Sequence, residues 1–226
     1  MLSAAVVPAA LWGSTASAEA SPIVGQDNTR RAFGPVLLIG DSTSSRRWRT
    51  LRRDLVARQL GPFRYDLQPG RSISTAEGWG YNAVEAVRAA RRAGFDPPSF
   101  VVALGFPDLY VWEGNAHPVT TVPAAERLIA PLLSEIGPDR TVIMLNLHSR
   151  TPRGAAVFNT ALDHLAVQNP NLLVSDWASR AADNEGWHLP DGYHYNVAGA
   201  RARQQFLALT MVAAARRSSH RRSWHP

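Results

Sequence analysis

The sequence predicts one three-layer α/β/α domain built on a parallel sheet of about five strands. Three observations lead there. Short apolar runs recur along the chain, and each is followed by a stretch with helical periodicity. The runs are apolar at successive positions, the mark of strands buried on both faces of a parallel sheet. The chain has 226 residues, 45% of them hydrophobic, which suits one sizeable core better than two.

Residues 1–18 are read first as a secretory signal. Met1 to Trp12 is mostly apolar, and Ala16-Ser17-Ala18 is a small-residue cleavage pattern. No basic n-region precedes it, so the signal reads as incomplete. Residues 19–33 are polar and aperiodic and are taken as a leader. Pro35 to Gly40 is then a buried strand, and residues 46–60 repeat Trp48, Leu51, Leu55 and Leu60 at helical spacing. Phe63–Leu67 is a weaker strand and Tyr81–Ala93 a helix. Ser99–Leu104 is a second strong strand. Pro123–Ile136 is a helix with proline in its first turn. Thr141–Leu145 and Leu172–Ser175 are strands, with a helix over Ala155–Val167 between them. Val197–Ala215 closes the domain, which is assigned to residues 34–216. The basic end, 217–226, is expected to be disordered.

Composition removes several classes of function. Without cysteine there are no disulfides, thiolate metal sites or cysteine nucleophiles. Every Lys/Arg position is arginine, which rules out Schiff-base lysines and the lysine of a phosphate-binding loop. The net charge of +6 owes much to Arg216, Arg217, Arg221 and Arg222. A short basic end of this kind is a solvated tail able to touch an anionic cell envelope, without the base-reading groups of a nucleic-acid binder.

Alternating strands and helices imply right-handed crossovers, and such sheets bind ligands beyond the C-terminal ends of their strands. There the sequence places Gly40-Asp41-Ser42, Pro69-Gly70-Arg71, Gly105-Phe106-Pro107-Asp108, Asn146-Leu147-His148 and finally Asp191-Gly192-Tyr193-His194. A serine, glycines and an Asp/His pair therefore converge on one edge. A serine hydroxyl becomes nucleophilic when a histidine takes its proton, and a carboxylate fixes the histidine's tautomer. Ser42, His194 and Asp191 suit those roles. The backbone N–H groups of Ser42, starting a helix, and of Gly70 suit an oxyanion. No Gly-x-Ser-x-Gly elbow occurs. His188, Asp191 and His194 form only a weak metal set, and no metal or cofactor is expected.

Gly40-Asp41-Ser42, Gly70, Gly105-x-x-Asp108 and Asp191-x-x-His194 follow the order of the four sequence blocks of SGNH (GDSL-like) hydrolases, which the chain resembles from about residue 35 to 210. Asp176-Trp177, Trp187 and Asp191 to His194 resemble the C-terminal half of secreted actinobacterial members. The resemblance implies a flavodoxin-like fold and hydrolysis of an ester of a lipid, sugar or polysaccharide. It implies Ser42 as nucleophile, His194 as base and Asp191 as its orienter. One position departs: Pro107 stands where the family's oxyanion asparagine belongs, and proline has no donor at all. Asn146, and then Asn115, are the nearest amides to replace it. Asp41, Phe106, Pro107, Asp108, Tyr110 and Trp112 are expected near the substrate, with His117 on the same loop.

Two alternatives share the scaffold. One is an envelope acyltransferase using the same acyl-enzyme. The other is a non-catalytic carbohydrate-binding module whose Trp79, Trp112 and Trp187 form a sugar platform. Oligomeric state is not legible.

Overall fold

The computed structural model describes residues 22–76, 80–111, 115–150 and 152–222. The proposed signal peptide, Trp79 and Trp112 lie outside them. Six strands form one sheet in the order β1-β3-β2-β4-β5-β6. They are β1 (Ile23–Asp27), β2 (Val36–Gly40), β3 (Phe63–Leu67), β4 (Ser99–Ala103), β5 (Thr141–Leu145) and β6 (Leu172–Ser175). The last five run parallel, and β1 pairs antiparallel with β3.

The apolar runs are explained by burial on both faces. On β2, Leu37 and Ile39 enter one core with Phe100, Val102, Val142 and Met144. Helices α3 (Ala83–Arg92), α5 (Val122–Ile136) and α6 (Pro152–Gln168) cover that side. Val36 and Leu38 point the other way, into a core with Val101, Ala103, Ile143 and Leu145. There α2 (Trp48–Ala57), α7 (Trp177–Ala182) and α8 (Val197–Arg222) close the layer. Alternate side chains of one strand thus feed opposite cores, as the pleat requires. Two short helices, α1 (Ser42–Ser45) and α4 (Phe106–Leu109), follow β2 and β4 directly. No helix among the described residues is long and apolar enough to cross a membrane.

Two boundaries differ from the sequence reading. The segment read as a leader contains β1, an edge strand with only partial burial. Its Gly25 lies under Tyr65, where a Cβ would sit 2.0 Å from the ring carbon Cζ, so the strand carries no apolar signal there. At the other end, α8 runs on through Arg222 instead of stopping at a disordered tail. Ser218 is buried and hydrogen-bonded to Ser99 at 2.8 Å, and the Arg216 guanidinium lies 4.5 Å from the centre of the Phe33 ring.

Candidate active site

Asp41 follows β2 and caps α1. Its Oδ1 accepts the Thr43 N–H at 2.8 Å and the Thr43 hydroxyl at 2.7 Å, which makes Ser42 the first residue of the turn. Asp41 is buried and lies beneath the serine, not at the surface where substrate would reach it. Burial pushes its carboxyl above the usual range, against the opposing pull of Thr43, Arg203 and His194. The turn is locked to α8: Gln204 donates to the Ser44 and Arg46 carbonyls, and Arg46 donates to the Tyr195 carbonyl. With four residues, α1 supplies N–H donors but little of the dipole expected from a long helix.

The Ser42 hydroxyl donates to His194 Nε2 at 2.8 Å, and His194 Nδ1–H donates to Asp191 Oδ2 at 2.8 Å. Asp191 Oδ1 accepts the N–H groups of Tyr193 (3.1 Å) and His194 (2.9 Å). Burial opposes ionisation of Asp191, but the bonds from His194 and Tyr193 outweigh it and hold the carboxyl below its usual range. The turn itself is pinned by Leu189 N–H to the His194 carbonyl, by Arg150 N–H to the Gly192 carbonyl, and by a bridge between His188 and Tyr195. The chain Ser–His–Asp is therefore continuous, in the tautomer that lets the imidazole draw a proton from the serine.

Gly70 sits in a turn at φ +69°, the left-handed region that favours glycine. Among the described residues, neither its N–H nor that of Ser42 donates to a backbone carbonyl. Its neighbour Arg71 is fully buried and donates to the Asp66 carbonyl (2.9 Å), to Asp66 Oδ1 (2.6 Å) and to Gln68 Oε1 (3.3 Å). Tyr81 donates to the other Asp66 oxygen at 2.5 Å and its ring faces the guanidinium at 4.8 Å. Burial, and then the bond to Asp66, push the Tyr81 phenol up to about 12. Sequence reasoning gave Arg71, Asp66 and Tyr81 no role at the site. Nothing in their spacing marks them, since the network joins the end of β3 to the approach to α3.

Asp108 is buried and turned inward. It accepts the Ser72 hydroxyl (2.6 Å) and the Ile73 N–H (3.2 Å), holding the loop after β3. Its part is to position that loop, not to meet substrate as the sequence suggested. Phe106 and Pro107 are buried beside it in α4. Tyr193 stacks on Tyr110 and Phe106, both at 5.4 Å, and lies 4.4 Å from the His194 ring. These rings form an aromatic wall beside the imidazole.

The two substitute amides are engaged elsewhere. Asn146 donates to Asp176 Oδ1 (2.9 Å) and accepts the Ala178 N–H (2.6 Å), so it caps α7. Asn115 donates to the Pro107 carbonyl (2.8 Å) and accepts the His117 N–H (2.9 Å). Trp187 is half-buried and stacks on the buried Trp177 at 6.0 Å, as part of the core beneath the His194 turn and not as a sugar platform. His188 does not join Asp191 and His194 in a metal set, because those two bond each other. It lies instead with His148 and Glu185.

No family model matches the sequence. Fold and site together define an α/β/α domain of the architecture seen in solved ester-processing catalytic domains, with a Ser–His–Asp chain at the C-terminal edge of its sheet. The chain is similar to the C-terminal catalytic domain of Streptococcus pneumoniae peptidoglycan O-acetyltransferase A, with a TM-score of 0.57 and 17% identity over 83% of this chain and 96% of that one. It is also similar to a carbohydrate esterase family 3 protein from Talaromyces cellulolyticus, with a TM-score of 0.58 and 17% identity over 80% and 97%. At these identities the likeness is one of fold. In sequence, 93 residues, 41% of the chain, are 33% identical to peptidoglycan O-acetyltransferase OatA of Listeria monocytogenes, and they span 14% of that protein's length.

Proposed function

We propose that this protein is a serine enzyme that cleaves an acyl ester, with an acetyl group on a carbohydrate as the preferred substrate class. The observation that carries the reading is the Ser42–His194–Asp191 chain, closed by two bonds of 2.8 Å across 152 residues of sequence. Likeness to a carbohydrate esterase and to a peptidoglycan O-acetyltransferase domain supports the substrate class.

In this reading Ser42 Oγ attacks the ester carbonyl while His194 Nε2 takes its proton. The carbonyl oxygen gathers negative charge against the N–H groups of Ser42 and Gly70. His194 then protonates the leaving sugar oxygen, and the acetyl group stays on Ser42. Water, deprotonated by His194, attacks the acyl-enzyme, releases acetate and restores the serine. Asp191 holds the ring and stabilises the imidazolium throughout. The wall of Phe106, Tyr110 and Tyr193 suits the acyl methyl or one face of a sugar ring. Residues 1–18, read as an export signal, would put the protein outside the cytoplasmic membrane, where esters of envelope glycans can be met.

A second reading keeps the same acyl-enzyme but passes the acetyl group to a sugar hydroxyl. The 33% identity to a stretch of OatA favours it. One experiment addresses both. A fluorophosphonate probe should label wild type at Ser42 and leave Ser42→Ala unlabelled. p-Nitrophenyl acetate turnover with and without chitooligosaccharide then separates acetate release from acetylated sugar. Labelling that persists in Ser42→Ala overturns the assignment.

A further inference from the structure

We propose that His148, Glu185 and His188 bind one divalent transition-metal ion, zinc being the best match. The ion would clamp the segment that carries Asp191 and His194 to the end of β5. Two imidazoles and a carboxylate make a common zinc ligand set, with water completing the shell. One ligand atom from each residue lies within 4.8 Å of the other two. His148 Nε2 is 2.8 Å from Glu185 Oε1, and His188 Nδ1 is 3.9 Å from Glu185 Oε2. In a tetrahedral site with bonds of 2.0–2.2 Å, ligand atoms stand roughly 3.3–3.5 Å apart. The three pairs of ligand atoms, none wider than 4.8 Å, must settle to that spacing around one Glu185 oxygen. The Glu185 side chain is half exposed and free to swing between the two imidazoles.

The second observation is the state of the His188 ring. Its side chain is fully buried, and Nε2 has no hydrogen-bond partner. Nδ1 approaches only the Glu185 carbonyl, at 3.4 Å, long for a hydrogen bond. A metal bond at Nδ1, the nitrogen that faces Glu185, would give this buried ring a strong partner in place of that long contact. The competing cation, Arg150, is 3.7 Å from Glu185 Oε2 and half exposed, a weak surface pair easily displaced. His148 and Glu185 retain solvent access, which gives the ion an entry path.

The placement defines the consequence. His148 follows β5, Glu185 lies in a single 3-10 turn (Glu185–Trp187), and His188 bridges Tyr195 at the base of the Asp191–His194 turn. The ion would be structural, holding that turn against the sheet, and no step of ester chemistry passes through it.

The test uses the full chain, free of any purification tag and stripped with a chelator. Calorimetric titration with Zn²⁺ should show one ion per chain. Binding should raise Tm by about 5–10 °C at a hundredfold excess over Kd. Co²⁺ should give the visible bands of a four-coordinate site. His148→Ala and Glu185→Gln, folded by circular dichroism, should each weaken binding at least tenfold. Ser42→Ala should bind as wild type does, whatever becomes of the esterase reading. Absence of stoichiometric binding overturns the proposal. So does unchanged affinity in both variants, which would assign the ion to surface histidines such as His117 or His164 and leave His148–Glu185 an ordinary ion pair.

Discussion

Replacing Asp191 with asparagine tests the Ser–His–Asp reading without removing a reacting atom. The carboxylate makes three bonds, two from backbone N–H groups to Oδ1 and one from the imidazole to Oδ2. An asparagine keeps the two backbone bonds by leaving its carbonyl oxygen in place. Its NH₂ group then faces His194 Nδ1, which must present a lone pair, and the ring proton moves to Nε2. In that tautomer Nε2 donates to Ser42 and no longer draws its proton. Turning the amide over restores the productive tautomer but gives up the two backbone bonds, a cost of about 1–3 kcal/mol. The lost charge-assisted bond to the imidazolium adds roughly 1.5–3 kcal/mol in the transition state. Together these slow turnover by on the order of 10²–10⁴, since about 1.4 kcal/mol is tenfold. Ser42→Ala and His194→Ala should each cost more, on the order of 10⁶, and the double variant no more than either alone. The assay is kcat on p-nitrophenyl acetate, with circular dichroism to show that the fold survives. A loss smaller than tenfold for Asp191→Asn would mean that the carboxylate neither sets the tautomer nor supports the charge. Additive losses for Ser42 and His194 would mean that they do not share a step.

Pro107→Asn should raise esterase turnover about tenfold, because an added oxyanion donor is worth up to 10²–10³ and the tight α4 turn limits its alignment. With Asn115 and Asn146 both engaged, an inert variant would show that two backbone donors suffice. Arg71→Met should destabilise the protein by about 3–5 kcal/mol in urea unfolding, since it strands the buried Asp66 carboxylate. A change below about 1 kcal/mol would mean that the Arg71–Asp66 pair does not hold the end of β3 to the loop after it. The Arg31 bond holds the Asp27 carboxyl at about 2, below the ordinary value near 3.9 that it takes when unfolded. The stability this contributes is fully present above about pH 4 and is lost as pH falls through 2. Between pH 6 and 3, Asp27→Asn should therefore lose less Tm than wild type, and equal losses would refute the linkage.

The strands β2, β4 and β5 were legible because burial on both faces makes nearly every position apolar. The edge strand β1 was not, because one side meets solvent and its centre is a glycine under Tyr65. The end of α8 was misread because basic residues suggest a free tail, while Ser218 and Arg216 are anchored by Ser99 and Phe33 from distant segments. At the site, Gly40-Asp41-Ser42 and Asp191-x-x-His194 stood out as candidates because each is a short local turn at a strand or helix boundary, and the structure brings them together. The destination of an amide such as Asn146 could not, because composition does not say whether Asp176 or a ligand will receive it. The same holds for His188: Glu185 stands three residues before it, but His148 comes from beyond β5, far away in the chain.

Ser42 and His194 meet only after the first strands and the final helix have docked on one another, 152 residues apart in sequence. Closing so long a loop carries an entropic cost, and non-local contacts of this kind slow folding. A chain that has formed its individual helices and hairpin-range contacts therefore has no reactive serine, only an ordinary alcohol. On the proposed function, the reactivity of Ser42 depends on that closure, with Gln204 of α8 holding the Ser42 turn. A chain exported unfolded, as the reading of residues 1–18 implies, would be chemically silent toward every ester it met on the way.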